Sequence, residues 1–158
     1  MREILFRGKR IDNGAWVYGS FLLDGEAHRP LEKKHLSFSK CYIIPETDRD
    51  NIKTRFNDGS YYLQTVGYHV IPETVGQFTG MTDKNGKKIF EGDIVKAERI
   101  CNGLYWTGCV VWWYGCFAIQ GIKDSNNVPA IDLFRNYEVI GNIHDNPELL
   151  KGGAEDGK

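Results

Sequence analysis

The chain is 158 residues long with 41% hydrophobic and 13% aromatic residues, a composition that sets disorder aside and allows one substantial core or two small ones. Twenty basic against twenty-one acidic residues leave a formal charge of −1, so no global field draws the protein to a phosphate backbone or an anionic membrane. No stretch approaches the ~20 apolar residues of a membrane span and the first residues carry no secretion signal, so the sequence reads as a soluble cytoplasmic protein with no membrane partner.

Eighteen scattered glycines with four Trp, eight Tyr and eight Phe favour many short strands joined by tight turns, so a mainly β fold is expected. Residues 2–7 alternate, placing Ile4 and Phe6 on one face, and Asp12-Asn13-Gly14 turns the chain into a second strand over 16–23. Residues 24–40, with Pro30, Lys33, Lys34, His28 and His35, show no period and read as loop. Cys41-Tyr42-Ile43-Ile44 is a short buried strand stopped by Pro45, which has no N–H for a ladder. The charged stretch 46–59, anchored only by Ile52 and Phe56, reads as a mobile loop or binding insertion. Residues 61–63 and 66–71 return to β character before Pro72-Glu73-Thr74, the boundary of an N-terminal β-hairpin region over 1–74.

The densest signals lie in residues 77–97. Asn85-Gly86 suits a type I′ turn, which would pair 78–81 with 88–90, and Glu91-Gly92-Asp93 redirects the backbone into 94–97. This hairpin echoes the first one: Phe6-x-Gly8 with Asp12-Asn13-Gly14 against Phe78-x-Gly80 with Asp83-Lys84-Asn85-Gly86. Duplication and convergent turn chemistry both account for that echo. Residues 94–99, 108–113, 116–121, 131–134 and 138–143 are strand candidates at the spacing of a small SH3-like barrel, giving a C-terminal region over 75–150. Tyr114-Gly115 makes the tight turn of its central hairpin, and residues 122–129 a longer loop. Asn146-Pro147-Glu148 opens a short C-terminal helix, and 151–158 read as a disordered tail.

The segments Gln77-Phe78-Thr79-Gly80, Asp83-Lys84-Asn85-Gly86-Lys87-Lys88-Ile89-Phe90-Glu91-Gly92-Asp93-Ile94-Val95, Glu138-Val139-Ile140-Gly141-Asn142-Ile143 and Asn146-Pro147-Glu148-Leu149, with residues 2–10 at the start, resemble the YopX family of phages and prophages. The resemblance spans the chain apart from the loops between residues 23 and 61 and the last few residues. It implies a phage or prophage accessory protein of the host cytoplasm, and it carries over no catalytic residue, substrate or cofactor.

The reactive constellations are weak. Residues 80–88 miss the spacing of a phosphate loop, with Lys88 where a Ser or Thr should hold magnesium, and Asp83 and Asn85 lack the ligand ladder of a calcium loop. Glu91 and Asp93 flank a turn glycine and are read as acceptors for local backbone N–H groups. His28, His35, His69 and His144 accompany no nucleophile motif. Cys41, Cys101, Cys109 and Cys116 lack any Cys-x-x-Cys pair and are read as small buried thiols in a reducing cytoplasm. No catalytic residue, cofactor or metal is therefore expected.

The aromatic stripe Tyr105, Trp106, Trp112, Trp113, Tyr114 and Phe117 offers more. In a strand Trp112 and Trp113 face opposite ways, so with Trp112 in the core, Trp113 with Tyr105 or Tyr114 makes a stacking platform, and core or interface packing is the plainer alternative. The candidate binding surface is Trp113, Tyr114 and Tyr105 with Lys84, Lys87 and Lys88 of the hairpin tip. Open strand edges and uncovered rings point to a homo-oligomer. The expectation is a non-enzymatic binding or assembly module. The alternatives are a protein that binds single-stranded nucleic acid through that surface, and a hydrolase with an unrecognised site.

Overall fold

The computed structural model describes residues 3–24, 40–45, 53–57, 60–64, 67–122 and 127–150. The expected loop over 24–40, most of the charged insertion over 46–59 and the tail over 151–158 lie outside the described residues. The chain divides into two compact units, Ile4–Val75 and Gly76–Lys158 with Met1–Glu3. Among the described residues helical structure is limited to three 3-10 turns, Pro72–Thr74, Ile131–Leu133 and Pro147–Leu150, so the protein is mainly β.

In the unit Ile4–Val75, strands β1 (Phe6–Lys9), β2 (Trp16–Asp24), β3 (Lys40–Pro45) and β6 (Tyr68–Val70) lie antiparallel in the order β6-β3-β2-β1. The strands β4 (Lys53–Asn57) and β5 (Ser60–Gln64) form a separate hairpin. Cys41, Ile43 and Val70 are the buried centre of the four-stranded sheet, with Phe6, Val17, Phe21 and Val75 packed around them. The strand starts only at Phe6, so the expected alternation does not reach Ile4, which is exposed while Leu5 is buried. Past β1 the chain returns to β6 through a bridge of Arg10 with Val70 and a bond from Ile71 N–H to the Lys9 carbonyl at 2.8 Å.

In the second unit β7 (Gly76–Thr82) pairs with β8 (Lys88–Phe90). The strands β9 (Asp93–Arg99), β10 (Tyr105–Trp113), β11 (Cys116–Gly121) and β12 (Phe134–Asn142) form an antiparallel sheet in the order β11-β10-β9-β12. Strand alternation puts Val95 and Ala97 of β9, Val110 of β10 and Phe117 and Ile119 of β11 on one face, where they close a core with Ile89, Ile131, Phe134 and Tyr137. Ile89, Val95, Val110 and Ile119 are fully buried. Each contributes about 1.5–3 kcal/mol against about 0–1 kcal/mol for a surface ion pair, so the apolar face holds the sheet together.

Four expectations for this unit are corrected. The edge strands β11 and β12 do not pair with each other among the described residues, so the sheet is open where the strand spacing suggested a small SH3-like barrel. The segment that would close it makes one bridge, Ala118 with Ala130, and then enters a 3-10 turn at Ile131–Leu133, which replaces the strand expected there. The chain next departs for the far edge, where β12 pairs with β9.

The β7–β8 turn is also not type I′. Gly86 has a φ of 81°, whereas Asn85 is outside the positive-φ region. Gly86 N–H donates to the Asp83 carbonyl at 3.0 Å, and the Asp83 carboxylate accepts the N–H groups of Asn85 at 2.8 Å and Lys87 at 2.9 Å. That is a type I turn closed by a glycine bulge, with the buried Asp83 as its organiser. Among the described residues at the C-terminal end a 3-10 turn forms, and Asn146 Oδ1 accepts the N–H of Asn142 at 3.3 Å, so the residue expected to cap a helix ties the end of β12 instead.

Candidate binding surfaces

The hairpin-tip lysines do not form a free basic patch. Lys84 Nζ donates to Glu138 Oε2 at 2.7 Å, which keeps its pKa above the ordinary lysine value. Lys88 Nζ donates to Glu3 Oε1 at 2.6 Å and lies 5.2 Å from the Phe78 ring centroid. Lys87 is exposed and has no ion pair among the described residues. Beneath them Asp83 is built into the fold: burial pushes its carboxyl up, but the N–H groups of Lys87, Asn85 and Val139 outweigh burial and hold it below the usual carboxylate range. Asp93 is buried as well, and its Oδ2 accepts the Phe90 N–H at 2.8 Å.

The aromatic candidates fall into two places. Tyr105 and Trp113 are the two ends of β10, eight residues and therefore ~26 Å apart at about 3.3 Å per residue. At the turn end, Tyr114 and Gly115 have φ of 44° and 86°, the pair of positive values that a two-residue hairpin turn requires. Trp113 and Tyr114 meet edge to face at 5.1 Å and are 45% and 93% exposed. Trp112 is on the core face, edge-on to Phe117 at 4.9 Å, yet remains 52% exposed because β10 ends one residue later. Cys116 follows, exposed like Cys101, so only Cys41 and Cys109 are the buried thiols expected of all four.

At the other end, Tyr105 stands opposite Glu98, and Glu98 opposite Arg135. A bulge in β12 with Asn136 at a φ of 53° turns Tyr137 inward and lets both neighbours reach Glu98: Arg135 Nη2 donates at 2.5 Å and Asn136 Nδ2 at 2.7 Å. Those two bonds, Arg135 first, hold the Glu98 carboxyl below its ordinary value. Lys96 lies 5.5 Å from the Tyr105 ring centroid. This face is therefore internally paired.

With two antiparallel sheets and these surfaces in place, the model of the family described as "YopX protein" matches residues 6–151. The chain belongs to the YopX family. Protein EF1440 from Enterococcus faecalis, known from a crystal structure, shares the fold of this YopX chain: the TM-score is 0.51 at 24% identity, covering 95% of this chain and 99% of that one. No curated protein matches this chain.

The YopX chain also holds a feature that the sequence reading passed over. Residues 10–15 and 99–104 form the same turn from Arg-Ile-Asp-Asn-Gly and Arg-Ile-Cys-Asn-Gly. In each the arginine N–H donates to the carbonyl five residues on, Arg10 to Ala15 and Arg99 to Leu104, both at 2.9 Å. The glycine N–H donates back to the arginine carbonyl, from Gly14 at 3.0 Å and Gly103 at 2.8 Å. The Asn Oδ1 accepts the N–H two residues on, Asn13 from Ala15 at 3.0 Å and Asn102 from Leu104 at 3.1 Å. The glycines have φ of 69° and 70°.

Besides Ala15 against Leu104, one position separates them. Asp12 grips Arg10 with both carboxylate oxygens, Nε to Oδ1 at 2.9 Å and Nη2 to Oδ2, over the Tyr68 ring at 4.1 Å. Exposed Cys101 stands in the corresponding place, so Arg99 has no carboxylate within ion-pair reach among the described residues. Its guanidinium lies 5.4 Å from the Trp106 and 5.9 Å from the Phe134 ring centroids. Both Arg99 Nε and Trp106 Nε1 are buried without a hydrogen-bond partner among the described residues.

Proposed function

We propose that this YopX-family chain is a non-enzymatic binding or assembly module of a phage or prophage, acting in the host cytoplasm and self-associating through the β10–β11 hairpin tip. The observation that carries the reading is the pair of Trp113 and Tyr114 at that tip, two large exposed rings in edge-to-face contact, with Trp112 half-exposed on the opposite face of the same hairpin end. Aromatic side chains lose little conformational entropy and bury much area on contact, and a two-fold partner covers the same rings on both subunits. The buried carboxylates Asp83 and Asp93 support a non-enzymatic role, since both accept backbone N–H groups and hold turns. The pairing of Lys84 with Glu138 and Lys88 with Glu3 weighs against the nucleic-acid alternative, and no observation favours a hydrolase. The SH3-like reading of the second unit is kept for its topology, four consecutive strands with a 3-10 turn before the last, rather than for closure.

Light scattering across a dilution series tests the proposal. The parent should show a mass above the 18.0 kDa monomer, and Trp113→Ala with Tyr114→Ser should move it toward the monomer. A parent that is monomeric throughout overturns self-association. Steep, salt-dependent binding of an oligonucleotide that Trp113→Ala weakens by about 1–3 kcal/mol would instead favour base stacking at the same tip.

A further inference from the structure

We infer that the Arg99 end of the second unit's sheet is a docking site for a peptide segment carrying one carboxylate beside aliphatic side chains, the carboxylate occupying on Arg99 the place that Asp12 occupies on Arg10. The site lies at the opposite end of β10 from the hairpin tip and stands whether or not that tip binds anything.

The first turn shows what the second lacks. Backbone bonds, the Asn acceptor and the left-handed glycine are the same in both, and the arginine is held over aromatic rings in both. Only the carboxylate is missing where Cys101 replaces Asp12. A guanidinium half-covered by rings is weakly hydrated and pairs with a carboxylate by two parallel hydrogen bonds more strongly than an ammonium in water does. Among the described residues nothing pairs with the buried Arg99 Nε and Trp106 Nε1 donors.

The surroundings select the rest of the ligand. Ile100, Leu104 and Leu133 are 55%, 65% and 50% exposed. Ile100 N–H donates to the Leu133 carbonyl at 3.0 Å, and the Leu104 carbonyl accepts from Arg99, so all three gather at this end of the sheet. Such a rim suits aliphatic side chains flanking the carboxylate. A nucleic-acid backbone is a poorer fit, because it repeats charge along its length while the neighbouring cations Arg135 and Lys84 are already held by Glu98 and Glu138.

The full-length protein, immobilised, is offered two matched pools of terminally blocked heptapeptides with randomised aliphatic flanks, one with a central aspartate and one with a central asparagine. The aspartate pool should be retained about tenfold or more over the asparagine pool, as a charge-assisted pair requires. Cys101→Asp puts a carboxylate on Arg99 from within the chain and should abolish that preference while the protein still melts cooperatively, at or above the parent's temperature. Arg99→Gln should abolish it too, and Cys101→Ser should keep it. Equal retention of the pools, retention of neither, or a Cys101→Asp protein that still prefers aspartate overturns the inference. So does single-stranded oligothymidylate retained in an Arg99-dependent way, which would make the acceptor a phosphate.

Discussion

The turn over residues 10–15 and the turn over residues 99–104 share their backbone, their asparagine acceptor and their glycine, and differ in the fate of one charge. In the first, Asp12 holds Arg10. In the second, Cys101 leaves Arg99 between Trp106 and Phe134 with no carboxylate partner among the described residues. The comparison separates two jobs that turn residues do together elsewhere. Arg, Asn and Gly positions build the loop through backbone and short-range bonds. The exposed position between them decides whether the loop is closed upon itself or open to a partner.

The largest effect that tests this equivalence is at the glycines. Gly14→Val and Gly103→Val should each destabilise by about 1–3 kcal/mol, because a branched Cβ is costly at a φ of 69° or 70°. A Cβ at Gly14 meets nothing within 4 Å and at Gly103 only Glu98 Oε1 at 3.8 Å, so the cost is conformational in both. Urea melts giving clearly unequal losses would break the pairing of the two turns.

A smaller and again matched loss is expected from Asn13→Ala and Asn102→Ala, each removing one acceptor for a backbone N–H. About 0.5–1.5 kcal/mol apiece follows from the net value of such a bond, toward the lower end because both are exposed. Thermal melts unchanged by either substitution would show that the glycine alone sets the turn.

The smallest effect sharpens the difference between the turns. The Arg10 guanidinium donates to Asp12 and holds its carboxyl below the ordinary value, outweighing the opposing effect of burial. A carboxyl lowered on folding adds stability above its unfolded pKa of ~3.9, and that stability is lost as pH falls through the lowered folded value. The parent should therefore be more stable than Asp12→Asn at neutral pH, with the gap closing in acid. Cys101→Asp should gain an acid-sensitive increment of its own. Melting temperatures from pH 7 to pH 2 at low salt would detect both, and a gap that widens in acid would reverse the assignment of Asp12 as Arg10's partner.

Much of the fold was legible in the residues because the relevant forces act over short spans. Alternating apolar residues with frequent glycines indicated a mainly β chain. Tyr114-Gly115 indicated the turn between β10 and β11, where both residues have positive φ. The Asn85-Gly86 dipeptide indicated a turn but not its type, because the carboxylate of Asp83, two residues earlier, captures the N–H groups of Asn85 and Lys87 and selects another geometry. The candidate surface was legible in part. Trp113 and Tyr114 do share a tip, while Tyr105 is at the far end of the same strand. The Arg-Ile-x-Asn-Gly repeat was visible too, but the echo between the first and central hairpins drew the comparison to Asp83-Lys84-Asn85-Gly86 instead.

By itself the sequence determined strand character, the placement of most turns and membership of the YopX family, since side-chain alternation, left-handed glycines and motif spacing are properties of neighbouring residues. Only the tertiary structure decided which charges are neutralised and which rings are covered. Lys84 meets Glu138 across 54 residues and Lys88 meets Glu3 across 85. Whether Trp112 is buried depends on where the sheet ends rather than on the face it occupies. Strands distant in sequence bring Trp106 and Phe134 to Arg99, and among the described residues no carboxylate comes with them. Coulomb attraction and burial both depend on distances in space, and the fold sets those distances between residues that no local pattern relates.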